Sequence, residues 1–343
     1  MTDLSLKIVS SIHAIEPNLW DQLSEMRPFQ SYRWYAFGQQ VMADCPSIYL
    51  LVYEENNLIG RACLWLVRNE PLPPKFPAPL KTLVSALLNR WPLLICRSPM
   101  ANTSGLLAPK DGRREVVLSM LTKAALTAGK QQGASMVLFD FLNESEAQGW
   151  PSHFVTTKMP SSGTVMENHW QSMEQYLAHG NKKGRQHYKR SLREAEKRGI
   201  QLTQLPSVSD IGAALKLIRN VERRHASSPN PWTRELLERV ELVDGTWLEA
   251  YIGNKLVGCG LILEDQGAQM TTALGLAENE PYVYFLLIYA SLENAFKKQV
   301  RLLRWGSGAY EVKQKLGFEL EKDNYLILSG TNRLATWISR LAA

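Results

Sequence analysis

The chain has 343 residues, of which 45% are apolar and 21% are charged, and its formal net charge is +6. This composition is typical of folded proteins and excludes a largely disordered chain, while the length suits two domains of ordinary size. The four cysteines lie far apart and form no CxxC pair, so we predict neither a disulfide framework nor a metal site.

The amino terminus and the most apolar stretch bear on cellular location. Residues 1–17 lack the basic flank and apolar run of a secretory signal. The longest apolar stretch, residues 82–96, includes Asn89, Arg90 and Pro92 and is shorter than the roughly 20 residues that span a bilayer. We therefore expect a cytoplasmic protein.

The first half of the chain alternates strand-like and helix-like patterns of apolar residues. The predicted elements are a strand at 6–10, helices at 19–26 and 34–42, a hairpin at 48–67, a strand at 105–107, a helix at 113–132 and a strand at 135–142. An insertion, residues 71–99, separates the hairpin from the strand that follows it.

The insertion contains an apolar helical pattern flanked by prolines. One interpretation is that it lies on a membrane face or covers a lipid-bearing substrate. Another is that it packs as a lid on the first domain or forms a dimer contact. The sequence leaves both open.

The second half repeats the order of the first after a linker at residues 160–163. Its predicted elements are a strand at 164–166, a basic helix at 181–199, a strand at 201–205, helices at 211–224 and 232–240, a hairpin at 247–263, a strand at 269–276, a helix at 284–299, a strand at 301–305, a helix at 310–316 and a strand at 325–328. Such repetition predicts a tandem fold.

Two segments of the second half carry a family resemblance. Residues 301–318, RLLRWGSGAYEVKQKLGF, have the pattern of a strand, a Gly-Ser-Gly break and a short helix ending in Gly-Phe. Residues 181–199, NKKGRQHYKRSLREAEKRG, form a strongly basic helix just before a strand. Together they resemble the GNAT acyltransferases, and the Fem-type branch of that superfamily in particular.

The resemblance implies an α/β (α+β) fold with two tandem GNAT-like domains, each a mixed, mostly antiparallel central sheet flanked by helices. We place the domains at residues 1–160, which include the insertion, and at residues 161–343. No Gly-Ser-Gly or Tyr-Lys pair follows the strand at 136–141 of the first domain. We therefore expect the chemistry in the second domain.

The resemblance also implies an enzyme, an N-acyltransferase that moves an acyl or aminoacyl group from acyl-CoA or aminoacyl-tRNA onto an amine. The expected acceptor is an amine-bearing small molecule or a cell-envelope precursor, and no DNA partner is expected. GNAT enzymes usually hold the pyrophosphate of CoA with a Q/RxxGxG/A loop. The matching residues 275–285, GLAENEPYVYF, contain no glycine run, so this chain departs from the acyl-CoA pattern.

The candidate catalytic residues lie in the terminal cluster. Lys313 occupies the place of the usual GNAT general acid, a Tyr four residues before Gly-Phe, and Tyr310 lies one helical turn earlier. In our functional interpretation Lys313 stabilises a phosphate or developing oxyanion and Tyr310 donates a proton or orients a group. In the structural alternative Tyr310 packs on the sheet and Lys313 is solvated.

Basic and polar residues nearby are candidates for substrate binding. Trp305 and Ser307 are placed to line a cleft, or else to pack and to cap the next helix. His225, beside Arg224, is a candidate general base for the acceptor amine, or a cation that stabilises a helix end. The basic helix supplies cations for the phosphates of tRNA, a nucleotide-linked precursor or CoA, or else a solvated face: Lys182, Lys183, Arg185, Lys189 and Arg190.

A different class of function fits the same residues. A non-catalytic protein with a GNAT scaffold would bind an anionic polymer or a membrane surface through the basic helix and residues 71–99, without turnover. Peripheral contact with the inner face of the membrane is therefore a further expectation for either class.

Overall fold

A computed structural model describes residues 3–71, 78–159 and 161–341. The strands are β1 Leu4–Val9, β2 Ser47–Glu54, β3 Asn57–Val67, β4 Leu93–Cys96, β5 Leu106–Leu107, β6 Met136–Leu142, β7 Val155–Lys158, β8 Thr164–Glu167, β9 Ile200–Leu205, β10 Thr246–Ile252, β11 Lys255–Asp265, β12 Ala268–Leu276, β13 Leu302–Trp305, β14 Glu319–Leu320 and β15 Tyr325–Gly330. The helices are α1 Pro17–Ser24, α2 Tyr32–Val41, α3 Ala78–Arg90, α4 Arg114–Gln131, α5 Met173–His179, α6 Lys182–Lys197, α7 Ile211–Arg224, α8 Thr233–Leu237, α9 Pro281–Lys297, α10 Tyr310–Lys315 and α11 Arg333–Leu341.

Several helices begin where side chains or prolines favour a start. Ser31, Asn181 and Asp210 each accept a hydrogen bond from a backbone N–H in the first turn of α2, α6 and α7. Pro281 occupies the start of α9, where its missing N–H costs nothing. These local signals explain why the pattern of the sequence located the helices well.

The first compact unit comprises Met1–Glu70, Phe76–Ser162 and Glu321–Ala343. Its sheet has the order β1-β2-β3-β4-β6-β15-β7, and β5 also pairs with β3. Neighbouring strands are antiparallel except for the parallel pair β4 and β6. The apolar face of α4 packs into a buried cluster of this unit.

The second compact unit comprises Pro71–Lys75 and Gly163–Leu320. Its sheet has the order β14-β8-β13-β12-β11-β10-β9, in which only β12 and β13 run parallel among the described strands. Most of α9 is buried, which its nearly continuous apolar sequence predicts. The predicted fold class, two mixed and mostly antiparallel sheets flanked by helices, is confirmed.

Strand β15 belongs to the first unit although it follows the second unit in the chain. It pairs with β6 and β7, and Ile327 is buried in the same cluster as Phe139. The corresponding position of the second sheet, next to β13, is filled by β8. The domains predicted at 1–160 and 161–343 therefore differ from the compact units at the carboxyl end, because an alternating pattern fixes a strand but not its partner.

The insertion forms one helix, α3, and its residues 72–77 lie outside the described residues. No helix within the described ranges is long and apolar enough to cross a membrane. Residues 71–99 also contain β4, which pairs with β3 and β6, so the predicted insertion includes a central strand of the first sheet that the sequence analysis did not identify.

The placement of β15 can be tested with a matched pair of core substitutions. Ile327→Ala and Leu303→Ala each remove a fully buried side chain, and each is expected to lower the free energy of unfolding by about 2–4 kcal/mol. Hydrogen exchange should show the loss of protection in β6 and β7 for Ile327→Ala, but in β12 and β8 for Leu303→Ala. Faster exchange of β13 in Ile327→Ala, with β6 unchanged, would contradict the assignment.

Candidate functional site

The two parallel strands of the second unit separate partway along β12. They pair from Ala268 with Leu302 to Thr271 with Trp305, where β13 ends. Strand β12 continues to Leu276 along β11. Among the described strands, none pairs with the β13 side of β12 beyond Thr271, so its backbone groups there are available for another extended chain.

A β-bulge lies at the start of this opening. The register of β12 against β11 shifts between Cys259 and Leu261, and Ala273 has a positive φ of 48°. Such a bulge bends its strand and increases the local twist. The bulge therefore turns the far half of β12 away from the line of β13.

Helix α7 packs closely against the far half of β12. A Cβ atom on Gly275 would lie 2.8 Å from the backbone nitrogen of Ile218, which is closer than side-chain contacts allow. Only glycine permits this approach. The helix thus covers one face of the strand at the level of the opening.

A cluster of buried polar side chains joins β12 and β13 where the two strands begin to separate. The indole Nε1 of Trp305 donates to Oγ1 of Thr271 at 2.9 Å, and that oxygen lies 2.5 Å from the hydroxyl of Ser291 on α9. Gln269 donates to the same hydroxyl. Trp305 is 4% exposed and stacks on Phe318 with ring centroids 4.0 Å apart. Trp305 therefore lies at the base of the opening, within the core.

The loop after β13 is exposed and leads into α10. Gly306, Ser307 and Gly308 are all exposed, and Ala309, in a left-handed conformation, occupies the cap position of α10. The cap that sequence suggested for Ser307 is thus not formed, because the chain turns for two more residues before the helix starts. Ser307 remains a surface residue of this loop.

Lys313 and Tyr310 lie on α10 beside the loop. Lys313 is 8% exposed, and its amino group donates to the carbonyl of Gly306. Tyr310 is half-buried at the first position of the helix. Lys313 thus joins α10 to the end of β13. Its side chain is not solvated, although one of the two interpretations of the sequence expected it to be.

A small pocket of about 190 Å³ lies in the same unit, beside the carboxyl end of α10. Aromatic rings and cations line it, including Trp170, Tyr176, Tyr289, Arg185 and Lys315. Arg185 donates to the carbonyls of Leu177 and Gly180, so it also fixes the turn between α5 and α6. Burial raises the pKa of Tyr176 above its usual range, and its hydroxyl donates to the carbonyl of Leu316.

The basic helix α6 presents its cations to solvent. Lys182, Lys183, Lys189 and Arg190 are exposed. The opposite side contacts α9, where Nδ1 of His187 lies 2.8 Å from the Tyr289 hydroxyl and Tyr188 donates to Glu293. Burial, and then the charge of Arg190, lower the pKa of His187. The helix is therefore anchored through aromatic side chains and leaves a cationic surface.

His225 and Arg224 lie at the carboxyl end of α7, and both are exposed. The loop after them is held in place, since Arg219 forms an ion pair with Glu222 and donates to the carbonyl of Asn230. The structure places these two candidates on a different element from Tyr310 and Lys313, at the end of the helix that covers β12.

The turn between β12 and α9 does not fit the pyrophosphate of CoA. Glu278 is exposed there, and Glu280 stands at the N-cap position of α9, where its side chain forms an ion pair with Arg198 instead of a capping hydrogen bond. Two carboxylates at a helix amino terminus oppose an anionic ligand. The described residues also contain no group of three or more His, Cys, Asp or Glu side chains that could hold a metal ion.

The first unit has an ion pair at the equivalent point. Strands β4 and β6 pair in parallel as far as Cys96 with Phe139. The next residue of each strand is Arg97 and Asp140, and Arg97 donates to one oxygen of Asp140 through Nε at 2.7 Å and Nη2 at 2.5 Å. Arg97 also pairs with Glu70. Burial raises the pKa of Asp140 to about 6, against the opposing effect of Arg97.

The sequence analysis did not predict the two clusters of polar side chains where the parallel strands stop pairing, one around Thr271 and the other formed by Arg97 and Asp140. The spacing of Ser291 and Asn294, three residues apart in a mostly apolar helix, was the available signal for the first, in which Asn294 donates to Gln269. Gln269 and Thr271, two apart in a strand, share one face and gave a second signal. Nothing in the pattern linked Arg97 with Asp140, because they lie far apart in the chain.

Comparison with known proteins supports the fold and no more. No protein-family model matches the chain, and no curated protein is similar to it in sequence. FemX is 10% identical with a TM-score of 0.58, over 94% of this chain and 96% of that chain. A tandem GNAT protein from the clavulanic acid biosynthesis pathway is 12% identical with a TM-score of 0.55, over 96% and 99%.

L-PGS from Bacillus licheniformis is similar as well, at 11% identity with a TM-score of 0.52, over 95% of this chain and 96% of that chain. The likeness extends over nearly the whole chain in all three cases. The chain therefore has a tandem GNAT fold of the Fem type, and the resemblance found in the sequence is confirmed. A shared fold does not assign an activity.

The hydrogen bond at the base of the opening can be tested with neighbouring threonines. Thr271→Val keeps the shape but leaves the Trp305 indole and the Ser291 hydroxyl without that partner, so it is expected to lower the free energy of unfolding by about 1–3 kcal/mol. The control is Thr272→Val, at a half-buried position on the opposite face of β12. Urea unfolding measures both. Equal losses in the two variants would show that this hydrogen bond does not hold the strands.

Proposed function

We propose that the chain is an N-acyltransferase whose reaction takes place in the second unit, where β12 separates from β13. The observation that carries this proposal is that no described strand pairs with the β13 side of β12 beyond Thr271, next to the exposed loop Gly306 to Gly308. Backbone N–H groups on a strand can hold an extended donor and stabilise an oxyanion without dedicated side chains. The tandem GNAT fold supports the same reaction class by analogy.

The reaction joins an amine nitrogen to a carbonyl carbon. The nitrogen attacks a thioester or ester carbonyl, and the negative charge that develops on its oxygen is stabilised by N–H groups of the opening. The C–S or C–O bond then breaks, and the leaving sulfur or oxygen takes a proton from the Tyr310 phenol. A base accepts the proton that the amine releases, and His225 is our candidate.

Lys313 acts through the loop in this mechanism. Its amino group holds the Gly306 carbonyl, so it fixes the backbone next to the reacting carbonyl and brings a positive charge to that place. The exposed Ser307 is available for contact with the substrate. Trp305 positions both strands from below and does not contact the substrate.

The donor is an acyl-CoA or an aminoacyl-tRNA, and two features favour the latter. The carboxylates at the start of α9 disfavour a pyrophosphate in the usual GNAT position. The exposed cations of α6 suit a longer phosphate chain. The acceptor is an amine-bearing small molecule or cell-envelope precursor, and the pocket beside Lys315 suits an acidic group on it.

The catalytic assignment predicts a loss of turnover without unfolding. Tyr310→Phe and Lys313→Met are each expected to lower kcat by about 100-fold, because one removes the proton donor and the other the fixed charge. Mass spectrometry would follow transfer from a panel of acyl-CoAs and aminoacyl-tRNAs to primary amines and precursor peptides. Glu311→Gln, an exposed change on the same helix, is the control and should leave kcat unchanged.

Two outcomes would contradict the proposal. Full activity in folded Tyr310→Phe and Lys313→Met would reject the roles of these residues. No transfer by the native protein from either class of donor, together with salt-sensitive binding of tRNA or another polyanion, would instead support the non-catalytic scaffold. Thermal unfolding of each variant would separate a loss of function from a loss of fold.

The donor can be identified through the salt dependence of binding. Lys182→Gln, Lys183→Gln and Arg190→Gln combined should reduce the slope of log affinity for aminoacyl-tRNA against log salt by about 2–3, because each phosphate contact contributes nearly one. A control with the same change in charge combines Lys110→Gln, Lys123→Gln and Lys130→Gln, three exposed lysines of the first unit. Identical slopes for both triple variants would rule out α6 as the tRNA contact.

A further inference from the structure

Two helices of the first unit join its sheet at the same end of the two strands that flank β6. Helix α3 leads into β4, whose first residue, Leu93, pairs with Met136. Strand β15 leads into α11, and its last residue, Gly330, pairs with the same Met136 from the other side. Because β4 and β15 both neighbour β6, these attachment points lie roughly 10 Å apart.

Ser135 joins the two helices through hydrogen bonds. Its backbone N–H donates to the carbonyl of Pro92 at 2.8 Å and its hydroxyl to that of Trp91, directly after α3. Its own carbonyl accepts from the N–H of Thr331, two residues before α11, at 3.0 Å. The end of α3 and the start of α11 are therefore held together.

Helix α11 packs with its small residues inward and its large apolar residues outward. Ala335 and Ser339 are buried, whereas Leu334 is 67% and Trp337 is 60% exposed. The backbone of the helix lies directly on Gly330, since a Cβ atom there would be 2.1 Å from the nitrogen of Thr336. This contact prevents the helix from turning its large side chains toward the sheet.

Helix α3 exposes an apolar row of its own. Leu83, Leu87 and Trp91 follow one another at intervals of four residues, so they share one face, and they are 55%, 41% and 52% exposed. A surface helix of a soluble domain ordinarily buries its apolar face. The outward apolar side chains of both helices are therefore left exposed within the described part of the first unit.

The sequences of these helices carry charge of one sign. Residues 82–92 and 331–341 contain no Asp or Glu, and their cations are Arg90, Arg333 and Arg340. Exposed leucine and tryptophan with basic residues and no acidic ones are the composition of helices that lie in the interface of an anionic membrane. A polar protein partner would not require this one-sided charge.

We propose that α3 and α11 together form a docking surface for an anionic lipid bilayer. The helices have 13 and 9 residues, too short to cross the bilayer, and would lie in its plane. Leu83, Leu87 and Leu334 enter the boundary of the acyl chains, while Trp91 and Trp337 lie at the level of the headgroups. This contact goes beyond the proposed transfer reaction and does not depend on it.

Vesicle flotation tests the proposal with the full-length protein. The native chain should bind vesicles of phosphatidylcholine with phosphatidylglycerol, and it should bind pure phosphatidylcholine more weakly. Leu334→Ser with Trp337→Ser, and separately Leu83→Ser with Leu87→Ser, should each lower the partition coefficient at least about tenfold. Arg333→Gln with Arg340→Gln should weaken binding to the anionic vesicles only.

The control pair is Val116→Ser with Leu242→Ser, which removes exposed apolar side chains from other helical segments and should leave binding unchanged. No partition of the native protein onto anionic vesicles would overturn the proposal, as would an equal loss in the control pair. A native dimer that Leu334→Ser with Trp337→Ser dissociates, without vesicle binding, would show that a second copy of the chain covers this surface instead.

Discussion

The pairing of β12 with β13 over four residues, closed by the hydrogen bond from Trp305 to Thr271, is the constraint on which the candidate site depends. If β13 continued to pair with β12, the backbone N–H and C=O groups of β12 would form hydrogen bonds within the sheet. They would then not be available to a ligand. Because β13 ends at Trp305 and β12 bends at Ala273, the same strands form a stable base and an open end. The site is thus a property of strand geometry more than of reactive side chains.

The two units differ in the side chains that lie where their parallel strands stop pairing. In the second unit a neutral group of hydroxyl and amide side chains lies beneath an opening. In the first unit Arg97 forms an ion pair with Asp140, donating through two nitrogens to one carboxylate oxygen, just beyond the last parallel pair of residues. A buried pair of this kind is costly to break once formed, because either partner alone would leave an uncompensated charge. The polar contacts at this point of the fold are thus ionic in the first unit and neutral in the second.

The two units also differ in the side chains that their helices expose. The second unit carries exposed cations on α6 above an aromatic contact with α9, which suits a hydrated polyanion. The first unit carries exposed leucine and tryptophan on α3 and α11, which suit a boundary between water and lipid. The exposed side chains of α6 and α11 lie opposite buried ones, Ala195 in α6 and Ala335 in α11, so the exposed face of each helix is distinct from the face that packs on the fold.

The sequence by itself determined the order of most elements, the tandem repeat and the location of the terminal cluster, since periodicity and helix caps are local properties. It did not predict β4, β7 or α5. Only the tertiary structure decided that β15 completes the first sheet, that Lys313 holds the Gly306 carbonyl and that Trp305 lies beneath the opening. It also showed that α7, which ends at Arg224 and His225, packs against the far half of β12. The physical reason is that strand partners and side-chain contacts join residues far apart in the chain, and packing selects among pairings that the local pattern allows equally.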